Sequence, residues 1–255
     1  MPDQIEIRHC DGRPEYEACV RVERAIWGDG IAVPPEIFVV AHHTGGQVVG
    51  AFQETKLAGF TLALAGVRAG KAYLHSHMTA VLPEFRDRGV GRRLKLFQRQ
   101  DALKRGIELI EWTFDPLDLK NAHFNLVRLG AIVRRFIPDC YGITDSPLHS
   151  GLPTDRLVAE WWLGSERVKA ILADDAPPFQ ESAKRISLPA DLAEIKERDR
   201  AAAARIQSGA RGQFEARFAE GYAATGGETR EATYDYLLEP AAAIAGLRLP
   251  SLVAG

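Results

Sequence analysis

Apolar residues recur along the chain with two different periods. Short stretches rich in Val, Ile, Phe, Thr and Leu either alternate with polar residues or run continuously apolar, which is typical of strands. The predicted strands cover residues 5–8, 47–53, 57–64, 72–81, 107–114, 132–137 and 156–163. Longer stretches repeat apolar residues at helical spacing over residues 14–27, 92–105, 117–129 and 190–220, with a short helix starting at Pro34-Pro35. This order of elements predicts a mixed α/β fold with helices flanking a central sheet.

The chain has a candidate linker at residues 174–178, where charged residues are followed by two prolines. It follows a Pro- and Gly-containing loop over residues 138–155 and the last of the predicted core strands. We therefore expect one domain over residues 1–173 and a C-terminal α/β extension over residues 174–255 that packs on the core or on a partner. The elements predicted for the extension are a strand, a long helix and a hairpin, over residues 186–188, 190–220, 222–225 and 234–238.

The stretch HMTAVLPEFRDRGVGRRLK, residues 77–95, joins the fourth strand to a basic helix. A helix entrance exposes backbone N–H groups that have no partner within the helix, and these groups suit an anion. Gly89 and Gly91 let the backbone approach a ligand closely because no Cβ stands in the way. Arg86, Arg88, Arg92 and Arg93 add positive charge to the helix dipole. The pattern therefore predicts an anion site at this turn. In the helix that follows, we expect the buried side to hold Leu94, Phe97 and Leu103.

Two common phosphate-binding loops do not fit this part of the chain. A dinucleotide fingerprint needs a third glycine, and Leu94 stands there; a nucleotide P-loop at residues 66–72 fails because Ala65 and Ala72 occupy required positions. What remains is Arg-x-x-Gly-x-Gly after a strand, which resembles motif A of the GNAT (Gcn5-related N-acetyltransferase) superfamily. The resemblance covers roughly residues 5–164. It implies that the turn holds the pyrophosphate of an acyl-CoA. The residues it assigns to cofactor binding are Val81, Arg86, Arg88, Gly89, Val90, Gly91 and Arg92.

A second resemblance to the family lies in NAHFNLVRLGA, residues 121–131, a helix that ends in the pair Leu129-Gly130. It implies that Asn121 and Phe124 flank the pantetheine arm, although helix capping and core packing are equally open roles for them. The tyrosine that often serves as general acid in the family falls at Leu126. We therefore consider Tyr141 as the proton donor to the leaving thiolate, with an aromatic cap on a loop as its alternative role.

His75 and His77 lie two residues apart on the predicted strand, so both side chains should point to one face. By the resemblance, His75 occupies a position where some members carry a glutamate general base. A histidine can take a proton from an ammonium nucleophile near neutral pH. A hydrogen-bonded structural histidine is an equally open reading. A metal site completed by His42, His43 or His123 is a third, but we expect no metal because no matching Cys or Glu pattern accompanies it.

The overall charge argues against large anionic partners. Lys and Arg total 32 against 34 Asp and Glu, a net charge of -2, so we expect neither nucleic acid nor membrane as a partner. A local basic cluster continued by Lys95, Arg99, Lys104 and Arg105 leaves phosphate contacts with a nucleic acid as a weaker alternative. Three widely separated cysteines and the absence of a signal-like N-terminal pattern favour a cytoplasmic protein without a disulfide framework.

The resemblance implies an acyl-CoA-dependent N-acyltransferase, in which an amine attacks the thioester directly. A backbone N–H near Val81 would stabilise the carbonyl oxygen as it gains charge. Acetyl-CoA is the expected co-substrate, with succinyl or another larger acyl group as an alternative. The expected acceptor is a small-molecule amine or amino acid, and a second copy of the chain is an open partner. The alternative function is a catalytically inactive acyl-CoA sensor or interaction module, motivated by Leu126.

Overall fold

The computed structural model describes residues 4–142, 151–175 and 183–244. These residues form two compact units, the first ending at Trp112 and the second beginning at Thr113. Part of the predicted loop, residues 143–150, and part of the predicted linker, residues 176–178, lie outside the described residues. The division of the chain after residue 173 stays a prediction.

The first unit is built on a sheet in which strands follow one another in the order β1-β2-β3-β4-β5. Neighbouring strands pair antiparallel, except that β4 and β5 are parallel. Their bounds are β1 Ile5–His9, β2 Gln47–Gln53, β3 Lys56–Arg68, β4 Lys71–Val81 and β5 Leu109–Phe114. All five strands were predicted, with ends that differ by up to four residues, because hydrophobic runs locate a strand better than its ends.

Helices cover both faces of this sheet because successive residues of a strand point to opposite sides. Val48 packs in an apolar layer with α1 (Gly12–Trp27) and α2 (Pro35–His43). Its neighbour Val49 packs in the layer with α3 (Val90–Lys104). The helix pattern of the sequence predicted all three helices, including the short one after Pro34-Pro35.

The buried side of α3 differs from the expected one. Leu94 is fully buried and Phe97 partly buried, but Leu103 is 36% exposed, so its predicted burial is wrong. The buried side of the helix instead includes two polar residues, Lys95 and Gln98. A stripe with a period of 3.6 residues that begins at Val90 passes through the positions that are buried, which are Val90, Leu94, Lys95, Gln98 and Ala102.

In the second unit the strands pair antiparallel in the order β7-β6-β9-β10-β8. The strands are β6 Ile132–Ile137, β7 Arg156–Trp162, β8 Lys184–Pro189, β9 Tyr222–Thr229 and β10 Thr233–Pro240. The closing hairpin predicted near the C-terminus is present as β9 and β10. The predicted mixed α/β class, with a mostly antiparallel sheet and flanking helices, is confirmed.

The helices of the second unit depart from the prediction in three places. The helix predicted over residues 117–129 is a short α4 (Leu119–His123) followed by a π-helical turn, Phe124–Arg128. An unpredicted helix, α5 (Glu166–Leu172), starts where Ser165 accepts a hydrogen bond from the Val168 N–H. The long helix over residues 190–220 is wrong, since α6 (Leu192–Arg198) and α7 (Arg200–Ala219) are separate. Asp199 divides them because its side chain caps α7 by accepting from the Ala202 N–H at 2.9 Å.

Helix α7 is held in the second unit by an aromatic anchor and an ion pair. The fully buried Phe214 packs edge-on against Tyr236, with 5.0 Å between ring centroids. Arg211 donates two hydrogen bonds to the buried carboxylate of Asp155, at 3.0 Å and 2.6 Å. The same carboxylate accepts the Asp139 N–H at 3.0 Å. Removing Arg211 would therefore leave a buried charge with one backbone donor.

We expect Arg211→Met to lower the free energy of unfolding by about 2–3 kcal/mol, because the buried carboxylate of Asp155 would lose the positive charge that compensates its own. Arg217→Met in the same helix is the matched control, because Arg217 pairs with Glu220 at the surface. Its loss should cost less than about 1 kcal/mol. Urea unfolding followed by circular dichroism measures both values. Equal losses in the two variants would contradict the role given to Asp155.

Candidate functional site

The chain between β4 and α3 makes a tight turn that depends on left-handed backbone. Residues 83–85 form one 3-10 turn after the end of β4. Gly89 then precedes the helix with φ 72° and ψ 7°, a conformation that glycine adopts at little cost. Asp87 also has a positive φ, 59°, which is uncommon for a residue with a side chain. The turn therefore holds a backbone shape that few sequences tolerate.

Backbone N–H groups at the start of α3 have no partner within the helix. The first helical hydrogen bond runs from the Arg93 N–H to the Gly89 carbonyl oxygen at 3.0 Å, so the preceding amides make none. Gly89 has no side chain with which to cap them. A Cβ added at Gly91 would meet only a methyl of Val81, at 3.9 Å, so the space beside it is open. The arrangement suits an anion.

The arginines of this region have different roles. Arg86 and Arg88 are exposed; Arg86 Nε donates to the Val81 carbonyl oxygen at 3.1 Å, and the Arg88 guanidinium lies 5.7 Å from the Phe85 ring centroid. Arg92 has a buried Nε without a hydrogen-bond partner among the described residues. Arg93 points elsewhere, donating to the Ile5 carbonyl oxygen at 2.6 Å. Arg86, Arg88 and Arg92 are therefore the cations left at the turn.

Strand β4 pairs with β5 over a short length, and no other described strand pairs with the rest of that edge. The pairs are Leu74 with Ile110 and His75 with Glu111, whereas β4 extends to Val81. Leu82 N–H donates to Ala58 of β3, so the N–H and carbonyl of its neighbour Val81 point to the opposite edge. By the same alternation the Thr79 N–H also faces that edge, because Thr79 lies opposite Thr61 in the same register. β4 thus presents an edge of backbone donors.

The two histidines of β4 lie next to a β-bulge. The register with β3 shifts between Leu62 and Ala63, which pair with Met78 and Ser76, so His77 is the extra residue. The imidazole centroids of His75 and His77 are 6.3 Å apart, so the rings are neighbours as their spacing predicts.

His75 is half-buried, on the face of the sheet that α1 and α2 cover, because it lies opposite Leu64 of that layer. Desolvation lowers the pKa of His75 below its ordinary value of 6.5, and the neighbouring His77 lowers it further. Glu111, its partner in β5, acts in the opposite direction. At neutral pH His75 is therefore uncharged and able to accept a proton.

Lys95 is a buried cation that lies beside the end of the β4–β5 pairing. Its side chain is 4% exposed, and Nζ donates to Ser76 Oγ at 2.7 Å and to Gln98 Oε1 at 3.3 Å. The Trp112 ring centroid lies 4.1 Å from Nζ, within cation–π distance. Lys95 is therefore not part of a basic surface cluster, and that expectation is wrong at this position.

The remaining predicted residues lie in the second unit. Tyr141 is 49% exposed; its hydroxyl lies 2.9 Å from Thr113 Oγ1. Asn121 and Phe124 are half-buried, and Asn121 Oδ1 accepts from Asn125 Nδ2 at 3.3 Å. Leu126, at the position of the family's tyrosine, is fully buried and cannot present a group to a substrate. The predicted roles of Tyr141, Asn121 and Phe124 stay predictions.

The turn residues and His75 all lie in the first unit. His75 is on β4, which leads into the turn and then into α3, as the sequence predicts. Lys95 and its partner Ser76 were not predicted as site residues from the sequence. Helical spacing could have indicated that Lys95 is buried, because it lies on the same face of the helix as Leu94, Gln98 and Ala102. A charged residue on such a stripe is more often exposed, so the pattern alone favours the surface.

The described ranges hold no group of three or more His, Cys, Asp or Glu side chains placed to bind a metal ion. The metal alternative for His75 and His77 thus lacks a third ligand in those ranges. Nor does any helix there combine the length and apolar character that crossing a bilayer requires.

Comparison with known proteins places this fold and turn in a family. The profile of the acetyltransferase (GNAT) family matches residues 6–130. A GNAT-family structure from Desulfovibrio desulfuricans is 15% identical, with a TM-score of 0.50, covering 63% of this chain and 100% of its own. The structure of yncA from Salmonella typhimurium with its cofactor acetyl-CoA is 16% identical, with a TM-score of 0.50, covering 64% and 96%. No curated protein matches the chain. Residues 6–130, just under half of the chain, therefore match a GNAT acetyltransferase domain.

The pKa of Lys95 gives a test of its burial. Desolvation lowers that pKa from 10.5 to about 7, so the unfolded chain binds more protons between these values. Stability must then rise with pH in that window, by up to about 1.4 kcal/mol per pH unit from this group. We expect Lys95→Met to remove this rise, because the substituted side chain binds no proton.

Denaturant unfolding of the wild type and Lys95→Met at several pH values between about 7 and 10.5 measures the difference. The variant should have the higher free energy of unfolding at neutral pH, and its difference from the wild type should shrink as the pH rises. If the difference in free energy of unfolding between the two proteins does not change with pH, Lys95 keeps its ordinary pKa in the folded protein.

Proposed function

We propose that the protein is an acyl-CoA-dependent N-acyltransferase that moves an acetyl or larger acyl group to the amine of a small molecule or amino acid. The observation that carries the proposal is the anion-binding turn directly after a strand whose edge is open. Acetyl-CoA offers groups of the matching chemistry, with phosphates at one end and amides along its arm. The bound acetyl-CoA of the yncA structure supports the same co-substrate here.

In this proposal the pyrophosphate lies on the free amides between Gly89 and Arg92, near Arg86 and Arg88. The pantetheine arm then runs back along β4 and adds to its edge as an extended peptide does. From Val81 to Ser76 the strand rises about 17 Å. Val81 and Thr79 offer N–H groups on this edge, one for a pantetheine amide and the next for the thioester carbonyl.

The residues of β4 would supply the chemistry around the thioester. A backbone N–H aimed at the carbonyl oxygen stabilises the negative charge that develops during attack. His75, uncharged at neutral pH, takes the proton of the acceptor's amine, directly or through water. The thiolate that leaves needs a proton, for which Tyr141 is our candidate donor. Holding both substrates at one strand supplies proximity and orientation.

The alternative is an acyl-CoA sensor without catalysis, which the buried Leu126 favours because it removes the family's usual acid. Isothermal titration of the full chain with acetyl-CoA, followed by a thiol-release assay over a panel of amines, separates the two. Binding with release of thiol in the presence of one amine supports the enzyme. Binding without release for any amine favours the sensor, and no binding would remove both.

We expect Gly91→Glu to abolish acetyl-CoA binding, because the new carboxylate would occupy the open space beside Gly91 and repel phosphate. Helix stability should not suffer, since a glutamate in the first turn is favourable. Gln100→Glu, exposed on the same helix, adds the same charge away from the turn and should bind normally. Calorimetry measures both variants. Unchanged affinity in Gly91→Glu would refute the assignment of the turn.

The lowered pKa of His75 predicts the pH dependence of transfer. With the best amine of the panel, kcat of the wild type should fall with decreasing pH below 6.5, as His75 gains its proton. His75→Ala should lower kcat by about 100-fold and remove this limb without changing acetyl-CoA affinity. In the control His77→Ala, the limb should move toward 6.5, because His77 lowers the pKa of His75. Identical pH profiles in wild type and His75→Ala would exclude His75 as the base.

A further inference from the structure

Lys95 Nζ lies at the point where β4 and β5 stop pairing. The last pair is His75 with Glu111, and the residue after each of them, Ser76 and Trp112, contacts the lysine. A parallel pair keeps both residues on the same face, so Ser76 and Trp112 face α3 together. The amine therefore lies beside the point at which β4 and β5 stop pairing.

The hydrogen-bond acceptors that contact this amine are neutral and do not balance its charge. An ammonium group has three N–H donors, and Lys95 uses two of them on neutral oxygens of Ser76 and Gln98. No carboxylate contacts Lys95 in the part of the chain that the structure describes. Glu111 projects to the other face, where its Oε1 accepts from Arg68. A buried amine of this kind, in its protonated form, favours an anionic ligand group within reach.

We propose that Lys95 recognises a carboxylate at the far end of the acyl group, so that the preferred co-substrate is a dicarboxylic acyl-CoA such as succinyl-CoA. This inference rests on the proposed function, in which the thioester lies on the β4 edge near Thr79. An acyl chain that continues along the edge passes the bulge at His77 and reaches Ser76 and Lys95. The third N–H of the ammonium and the Ser76 hydroxyl would then bind the carboxylate.

The experiment compares three probes on the full chain by isothermal titration: acetyl-CoA, butyryl-CoA and succinyl-CoA. Butyryl-CoA has the chain length of succinyl-CoA and no terminal charge, so the pair isolates the carboxylate. The wild type should bind succinyl-CoA about tenfold or more tightly than butyryl-CoA, as a charge-assisted hydrogen bond predicts. Lys95→Met should lose this preference and keep its affinity for acetyl-CoA. Lys104→Met, at the exposed end of the same helix, should keep the preference.

Two results would overturn the inference while leaving the proposed function intact. One is equal affinity of the wild type for butyryl-CoA and succinyl-CoA, a measurement that needs no variant to fold. The other is a succinyl preference that survives in Lys95→Met, which would assign the carboxylate to another group such as Arg92. Failure of the wild type to bind any of the three probes, acetyl-CoA included, would instead remove the proposed function and this inference together.

Discussion

The structure of the first unit depends on how early β4 parts from β5. Two residue pairs join the strands, and the bulge at His77 follows at once. A parallel pair that continued to Val81 would use the backbone donors of β4 for β5 and leave none for a ligand. Because the pairing ends, the strand keeps an open edge that leads directly into the left-handed turn at Gly89. Sheet, turn and helix entrance thus form one continuous backbone surface.

The tight turn between β4 and α3 could be predicted from sequence because its features are local. Gly89, Gly91 and the arginines act through backbone conformation and charge within a few residues, and the strand before them has a clear hydrophobic pattern. The helix over residues 190–220 was mispredicted for the opposite reason. Apolar spacing continues across Asp199, and only the hydrogen bond to Ala202 reveals that this aspartate ends one helix and starts another.

The polar layer beneath the sheet could not be predicted, because its members are distant in sequence. Lys95 meets Ser76 across 19 residues, and Gln98 Nε2 lies within hydrogen-bond distance of Thr61 Oγ1 across 37. Each of these residues taken alone is a normal surface residue. Packing α3 against β3 and β4 brings these polar groups within hydrogen-bond distance of one another. Such a layer forms through tertiary packing and produces no periodic pattern in the sequence.

The hydrogen bond from Arg93 to the Ile5 carbonyl oxygen joins residues 88 positions apart. β1 is the outer strand of its sheet, and this arginine ties down backbone there. On the ribosome, β1 and β2 emerge and can pair long before α3 exists. This hydrogen bond to β1 can therefore form only after α3 has been made. Nascent chains that stall before α3 would carry an outer strand without this tie, open to pairing with a neighbouring chain and to proteases.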